Sequence, residues 1–118
     1  MANILVMEDD DAVRQVISRL LKMQSHTVTA FSDAGPALDT VDFQQIDLII
    51  TDLLMPTKGD EALERLQIRG IKLPAIVLSG CELTEKEEDH LFSLGARVCM
   101  RKPFKLEPFL AAVQHILN

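Results

Sequence analysis

The sequence lacks several features that would place it in a specialised class of protein. It has no tryptophan or tyrosine. It has only two cysteines, and this number excludes the disulfide framework of small secreted domains. Acidic residues outnumber basic ones by 18 to 12, so the basic footprint of a nucleic-acid-binding domain is missing. No apolar run approaches the ~20 residues of a membrane span, and no basic-then-apolar leader opens the chain. We therefore expect a cytoplasmic domain without direct contact to nucleic acid or membrane.

The chain has 118 residues, of which 47% are hydrophobic. This is enough for one domain with a single core and too little for two domains of comparable size. No internal repeat, low-complexity tract or linker is visible. We therefore expect residues 1–118 to form one domain, which is either a whole small protein or a unit cut from a longer one.

Short apolar runs of four or five residues recur along the sequence. They lie at about residues 4–7, 27–31, 47–51, 74–78 and 97–100. Unbroken runs of this length are typical of strands that are buried on both faces of a parallel sheet. The pattern predicts five such strands.

Segments with helical spacing separate these runs. The first has apolar residues at the i, i+3, i+4, i+7 and i+8 positions of an amphipathic helix: Val13, Val16, Ile17, Leu20 and Leu21. Asp10 or Asp11 is expected to cap this helix. The second helix is predicted to have only about two turns, because Gly35 and Pro36 lie at its start.

The three later helices have clear start or stop signals. Gly70 is a plausible stop for the third helix. Thr84 and Glu87 match a capping box at the start of the fourth helix, and Gly95 follows its end. Pro108 suits the first turn of the fifth helix. Five alternations of strand and helix predict a doubly wound α/β fold with right-handed crossovers.

In an open parallel sheet, ligands bind beyond the carboxyl ends of the strands, at the point where strand order reverses. Each of four predicted strands is followed there by residues able to handle a phosphoryl group or a divalent cation: Glu8, Asp9, Asp52, Ser79 and Lys102. One such residue would carry little information. Four strand ends of this kind predict a single site at one edge of the sheet.

The residue types at this edge suit phosphoryl transfer. Glu8, Asp9 and Asp52 would bring together up to three negative charges, which is unfavourable unless a cation such as Mg²⁺ joins them. An ionised aspartate is also a competent nucleophile towards phosphorus. Lys102 could supply a mobile positive charge and Ser79 a hydroxyl hydrogen bond to the incoming group.

On these residues the chain resembles the receiver domain of two-component response regulators, the CheY-like family. The resemblance rests on Glu8-Asp9, the Asp52-Leu53-Leu54-Met55-Pro56 segment, Ser79-Gly80 and Lys102-Pro103-Phe104, in that order and at the usual spacings. It covers the whole chain. It implies a flavodoxin-like fold: a five-stranded parallel sheet of order 2-1-3-4-5 with five helices.

The resemblance also implies a role for each residue of the site. Asp52 would accept a phosphoryl group from a phosphohistidine, assisted by Ser79 and Lys102. Mg²⁺ would be held by Asp9, Asp52 and the backbone carbonyl of Leu54, with Glu8 acting through water. The Lys102-Pro103 bond is usually cis in the family.

By the same resemblance, the donor would be a sensor histidine kinase or a histidine phosphotransfer protein. Phosphorylation would bias the face formed by the fourth helix, fifth strand and fifth helix towards a downstream protein. The chain would catalyse only its own phosphorylation. Two alternatives remain open: an intermediate in a phosphorelay, and an interaction module that works without phosphorylation.

Some positions differ from the usual pattern of the family. Cys99 lies where the fifth strand generally carries an aromatic residue, and Glu8 replaces an aspartate that is often found there. The pair Gly59-Asp60 reverses the usual Asp-Gly order, which could reshape the start of the third helix.

Two further positions bear on how long the phosphoryl group lasts. In the family, the residues two after the phosphoacceptor and two after the hydroxyl residue tend to govern its loss. Here they are Leu54 and Cys81, both poor at orienting water, so slow self-dephosphorylation is expected. Cys81 is also expected near enough to Cys99 to consider a redox pair, although two reduced packing cysteines are the simpler interpretation.

Overall fold

The computed structural model describes all residues, Met1–Asn118, and contains one five-stranded parallel sheet in the order β2-β1-β3-β4-β5. Its strands are β1 (Asn3–Met7), β2 (Thr27–Phe31), β3 (Leu48–Asp52), β4 (Ala75–Ser79) and β5 (Ala96–Arg101). The predicted number of strands, their order and their parallel pairing are all confirmed.

Five α-helices connect the strands and cover the sheet. They are α1 (Asp11–Met23), α2 (Ala34–Thr40), α3 (Gly59–Ile68), α4 (Glu85–Ser93) and α5 (Leu106–Leu117). A short 3₁₀ helix, Phe43–Gln45, precedes β3 and was not predicted. The second α-helix has seven residues, in agreement with the two turns expected. None of the helices is both long enough and apolar enough to cross a membrane.

The core consists of two layers, one on each face of the sheet. Successive side chains of a strand point to opposite faces, so each central strand contributes to both layers. Leu5, Ile49 and Val77 pack with α2, α3 and α4, and Ile4 and Ile50 pack with α1 and α5. This arrangement explains why the central strands have unbroken apolar sequences.

The prediction of burial on both faces is wrong for β2. Thr27, Thr29 and Ala30 are exposed, and only Val28 and Phe31 are partly buried. The reason is its position: β2 lies at the edge of the sheet, where it pairs with β1 alone. An edge strand has less apolar surface to cover than a central one. The same prediction is wrong for β5 at the opposite edge, where only Ala96 is buried.

One member of the predicted apolar stripe of α1 is also misplaced. Val16 is 56% exposed, whereas Ile17 and Leu21 are fully buried and Val13 and Leu20 are partly buried. Ile17 and Leu21 are four residues apart and define the centre of the buried face. Val16 lies one position, or about 100°, away from Ile17 and therefore reaches solvent.

The predicted helix ends agree with the structure. The Asp10 side chain accepts a hydrogen bond from the Val13 amide at 3.1 Å and caps α1. Thr84 and Glu87 form the complete capping box of α4. Gly70 and Gly95 follow α3 and α4 with positive φ angles of 78° and 110°, a conformation that glycine adopts at little cost.

The start of α3 passes unusually close to β3. The Gly59 amide donates a hydrogen bond to the Leu53 carbonyl at 3.2 Å. A Cβ atom at residue 59 would overlap the Asp52 carbonyl oxygen and lie 2.8 Å from the Thr51 hydroxyl oxygen. The reversed Gly59-Asp60 order therefore has a structural consequence: a residue without a side chain lies directly beneath the end of β3.

We predict that Gly59→Ala lowers the free energy of unfolding by about 1–3 kcal/mol, because the added methyl group must displace backbone atoms. Gly80→Ala is the matched control, since a Cβ there meets no atom within 4 Å and its φ angle requires no glycine. Urea unfolding followed by far-UV circular dichroism measures both. Equal stability of the two variants would contradict the close approach described for Gly59.

Candidate functional site

The predicted site residues lie together at the carboxyl edge of the sheet. Glu8 and Asp9 follow β1, Asp52 ends β3, Ser79 ends β4, and Lys102 follows β5. The strand order reverses between β1 and β3, because β2 lies on one side of β1 and the later strands lie on the other. Open α/β sheets bind their ligands at this switch point. The acidic residues flank it from both sides.

The three carboxylates form a compact cluster. One oxygen from each of Glu8, Asp9 and Asp52 lies within 4.8 Å of the others. Glu8 and Asp52 are buried, whereas Asp9 is exposed at the mouth of the cluster. The cluster is thus open to solvent on the Asp9 side and enclosed on the other side.

Glu8 is fully buried, which is unusual for a carboxyl group. Its Oε2 atom accepts a hydrogen bond from the Asp10 amide at 3.1 Å, and its Oε1 atom lies 2.5 Å from the Lys102 ammonium. Burial raises the pKa of Glu8, and the nearby charge of Asp52 adds to the effect, while Lys102 and the Asp10 amide oppose it. This direct ion pair with Lys102 was not predicted from the sequence.

Lys102 connects two of the carboxylates. Its Nζ atom lies 2.5 Å from Glu8 Oε1 and 3.0 Å from Asp52 Oδ2. Burial opposes the charge of Lys102, but the contacts with Glu8 and Asp52 outweigh burial and raise its pKa. The ammonium is therefore held in its charged form beside Asp52. The Lys102-Pro103 peptide bond is cis, as the resemblance implied.

Asp52 presents its carboxylate to the site from a well-supported strand end. Its Oδ1 atom accepts a hydrogen bond from the Leu53 amide at 2.8 Å, and Oδ2 contacts Lys102. The Thr51 hydroxyl donates a hydrogen bond to the Asp52 carbonyl at 2.8 Å. The whole residue is 4% exposed, so the carboxylate is fixed on the protein side and reachable only through the mouth of the cluster.

The Ser79 hydroxyl is directed towards its own loop rather than towards Asp52. It donates a hydrogen bond to the Cys81 carbonyl at 2.5 Å and accepts one from the Cys81 amide at 3.2 Å. The backbone of Ser79 nonetheless lies beside Lys102, whose amide donates to the Ser79 carbonyl at 2.7 Å. The structure thus brings Ser79 to the site edge with its hydroxyl engaged elsewhere.

Leu54 lies in the turn that follows Asp52. Its side chain is 60% exposed, and the next residue, Met55, is buried and anchors the turn to the core. The side chain of Leu54 is therefore free of the core, and only its backbone is fixed relative to Asp52.

The turn that follows Asp52 is also held by a contact with α2 that was not predicted from the sequence. Asp33, which caps α2, accepts a hydrogen bond from the Gly35 amide at 3.0 Å and one from the distant Thr57 amide at 2.6 Å. Burial opposes the charge of Asp33, but these amide donors outweigh it and lower the pKa. The Asp33-Ala34-Gly35 segment indicates a helix cap, but no local signal reveals the contact with Thr57.

The donor set fits a hard divalent cation. With all three carboxyl groups ionised and one ammonium beside them, the cluster retains two uncompensated negative charges. Mg²⁺ prefers oxygen ligands, one or two of them carboxylates, and keeps several waters. The exposure of Asp9 leaves room for those waters.

Comparisons with known proteins agree with this geometry. The sequence profile described as response regulator receiver domain matches residues 4–114. The response regulator MprA of Mycolicibacterium vanbaalenii is 33% identical over 116 residues, which cover 98% of this chain and 50% of that protein. MprA of Mycobacterium avium gives the same identity and coverage. The chain thus spans about half the length of the curated relatives it matches.

Solved structures give the same result. The chemotaxis protein CheY4 of Vibrio cholerae has a TM-score of 0.88 and 27% identity, and the match covers 99% of both chains. The receiver domain of the Francisella response regulator 1452 has a TM-score of 0.88 and 26% identity, and covers 99% of this chain and 97% of that one. Together with the family match and the acidic site at the switch point, these similarities show that the chain belongs to the response regulator receiver domain family of two-component signalling.

Proposed function

We propose that Asp52 accepts a phosphoryl group from a phosphohistidine in a Mg²⁺-dependent reaction, and that this modification switches the binding of a partner protein. The observation that carries the proposal is the pairing of the buried Asp52 carboxylate with the Lys102 ammonium at 3.0 Å, inside an acidic cluster. An isolated strand-end aspartate would have neither the cluster nor the fixed positive charge.

In the proposed reaction, an oxygen of the Asp52 carboxylate attacks the phosphorus atom of the donor. A phosphorus–oxygen bond forms while the phosphorus–nitrogen bond to the donor imidazole breaks, and the imidazole nitrogen keeps the electron pair and takes up a proton. When bound, Mg²⁺ supplies positive charge that offsets the carboxylates and attracts the phosphoryl oxygens. Asp9, Asp52 and the Leu54 carbonyl are the proposed ligands, with Glu8 acting through water.

Lys102 and Ser79 have different proposed roles. The Lys102 ammonium already contacts Asp52 and can transfer its contact to a phosphoryl oxygen with little movement. The Ser79 hydroxyl must first leave its hydrogen bond with the Cys81 carbonyl before it can donate to that group. Reorientation of the β4–α4 loop would therefore accompany phosphorylation. Phosphorylation of Asp52 would in this way change the position of the loop that leads into α4.

The proposed partners follow from the family. The donor is a sensor histidine kinase or a histidine phosphotransfer protein, and the output partner is a protein that binds the face formed by α4, β5 and α5. We assign residues 1–118 to one receiver unit in the cytoplasm, without direct contact to nucleic acid or membrane. The chain would catalyse only its own phosphorylation, because Leu54 offers no second acid for repeated hydrolysis.

We expect acetyl phosphate and Mg²⁺ to add one phosphoryl group to the wild-type chain, detected by intact mass. Asp52→Asn should show no gain, because an amide oxygen is a poor nucleophile. Asp39→Asn, an exposed position on α2, is the control and should behave like the wild type. No gain in the wild type would favour the phosphorylation-independent module, and a gain in Asp52→Asn would identify a different acceptor.

Back-transfer of the phosphoryl group from this chain to a histidine phosphotransfer protein would favour the phosphorelay.

Mg²⁺ should raise the melting temperature of the chain, since a ligand that binds only the folded state stabilises it by mass action. Asp9→Asn should abolish most of this rise by removing a metal ligand. Asp11→Asn is the matched control, because Asp11 is an exposed neighbour that pairs with Arg14. Thermal unfolding with Mg²⁺ and with EDTA measures the rise for each variant. An equal rise in both variants would exclude Asp9 from the metal site.

The phosphoryl group should be lost slowly, because neither Leu54 nor Cys81 can orient an attacking water. Leu54→Asn should accelerate the loss by about tenfold, equivalent to ~1.4 kcal/mol in the barrier. Leu54→Met, which keeps an apolar side chain at this exposed position, should leave the rate unchanged. The decay of the phosphorylated mass after removal of the donor gives each rate. Rapid decay of the wild type with Mg²⁺ present would refute this account of Leu54.

A further inference from the structure

Both cysteines of the chain line one cleft beside the proposed site. Cys81 is an exposed residue of the β4–α4 loop, and Cys99 is a partly buried residue of β5. The cleft has a volume of about 210 Å³ and is also lined by Leu83, Glu88 and Met100. Neither cysteine is needed for the phosphoryl transfer proposed above. Their shared location therefore points to a separate role for the two cysteines.

The hydroxyl of Ser79 lies next to Cys81 and on the same sheet face as Cys99. Cys99 pairs with Val77 across the β4–β5 ladder, and Ser79 is two residues further along β4, so Cys99 and Ser79 are diagonal neighbours on one face. The Cys81 Sγ atom lies 3.7 Å from the Ser79 Oγ atom. The Cys81 thiol thus contacts the Ser79 hydroxyl, and Cys99 lies on the same face of the neighbouring strand.

The loop that carries Cys81 has room to adjust. Gly80 precedes it, and a Cβ atom at Gly80 would meet no atom within 4 Å, so open space surrounds the backbone there. The Cys81 side chain is exposed, whereas Cys99 is fixed in a strand. The two cysteines face one cleft, so a shift of the loop towards β5 would close the gap to the short range that a disulfide requires.

We propose that Cys81 and Cys99 form a reversible disulfide that restrains the β4–α4 loop next to Ser79 and so impairs phosphorylation of Asp52. The consequence for phosphorylation rests on the function proposed above, whereas the disulfide itself does not. A bond from Cys81 to β5 would limit further movement of the loop that carries the carbonyl and amide to which the Ser79 hydroxyl is bonded. The hydroxyl would then be unable to turn towards a phosphoryl oxygen.

A small-molecule disulfide such as oxidised glutathione is the proposed oxidant. The Cys81 thiolate attacks one glutathione sulfur, which forms a mixed disulfide and releases one glutathione thiolate. The Cys99 thiolate then attacks the Cys81 sulfur, forms the internal disulfide and releases the second glutathione. Two protein thiols are oxidised and one glutathione disulfide is reduced. Burial, more than the charge of Glu88, raises the pKa of Cys99, so the exposed Cys81 reacts first.

The disulfide is tested by incubating the wild-type chain with oxidised glutathione, blocking the remaining thiols with an alkylating reagent, and measuring intact mass. We expect a monomer with no alkylated cysteine and no retained glutathione, and a tryptic fragment that links Cys81 to Cys99. Cys81→Ser and Cys99→Ser are matched controls, and each should retain glutathione or an alkyl group on its single thiol. A persistent glutathione adduct, a disulfide-linked dimer or two free thiols in the wild type would overturn the proposal.

The consequence is tested separately with acetyl phosphate and Mg²⁺. The oxidised chain should gain its phosphoryl group about tenfold more slowly than the reduced chain, a loss comparable to one hydrogen bond to a charged group. Dithiothreitol should restore the rate, and oxidised glutathione should not slow Cys99→Ser to the same extent. Equal rates in the oxidised and reduced wild type would refute the regulatory role. Failure of the reduced chain to accept any phosphoryl group would refute the proposed function instead.

Discussion

The structure depends on an imbalance of charge at one edge of the sheet. Three carboxylates converge there against a single ammonium group, that of Lys102. Lys102 offsets part of the repulsion by contacting Glu8 and Asp52 together, and it leaves Asp9 at the exposed side. A cluster with an excess of negative charge is favourable only if a cation joins it. The same excess of negative charge would attract a divalent cation.

The scaffold supports this cluster through contacts of the backbone around Asp52, several of them with side chains of neighbouring residues. Gly59 lets α3 begin directly beneath the Asp52 carbonyl, and the Thr51 hydroxyl bonds that same carbonyl. Asp33 ties the turn after Asp52 to the start of α2 by way of Thr57. These contacts fix the strand end on which the Asp52 carboxylate lies. In the β4–α4 loop a Cβ atom at Gly80 would meet no atom within 4 Å, and the neighbouring Ser79 hydroxyl is bonded to the Cys81 backbone.

Much of the fold could be predicted from the sequence because the central strands are buried on both faces. The segments that became β1, β3 and β4 have unbroken apolar sequences for that reason. The same reasoning failed for β2 and β5, because a local sequence does not show which strands lie at the edges. It also failed for Val16, because helical spacing defines a stripe without fixing its margins.

The sequence predicted which residues lie at the site, but it did not predict which of their side chains contact one another. Strand-end positions and carboxylate chemistry were enough to place Glu8, Asp9 and Asp52 in one cluster. The ion pair between Lys102 and Glu8, and the hydrogen bond between Ser79 and the Cys81 backbone, depend on side-chain directions that no local pattern encodes.

The decisive experiment is a peptide map of the chain after reaction with a phosphodonor and Mg²⁺, digested under acidic conditions that preserve acyl phosphates. The account predicts that the phosphoryl group is found on the fragment that contains Asp52, and only when Mg²⁺ is present. A phosphoryl group on Ser79, or one acquired equally well in EDTA, would contradict it.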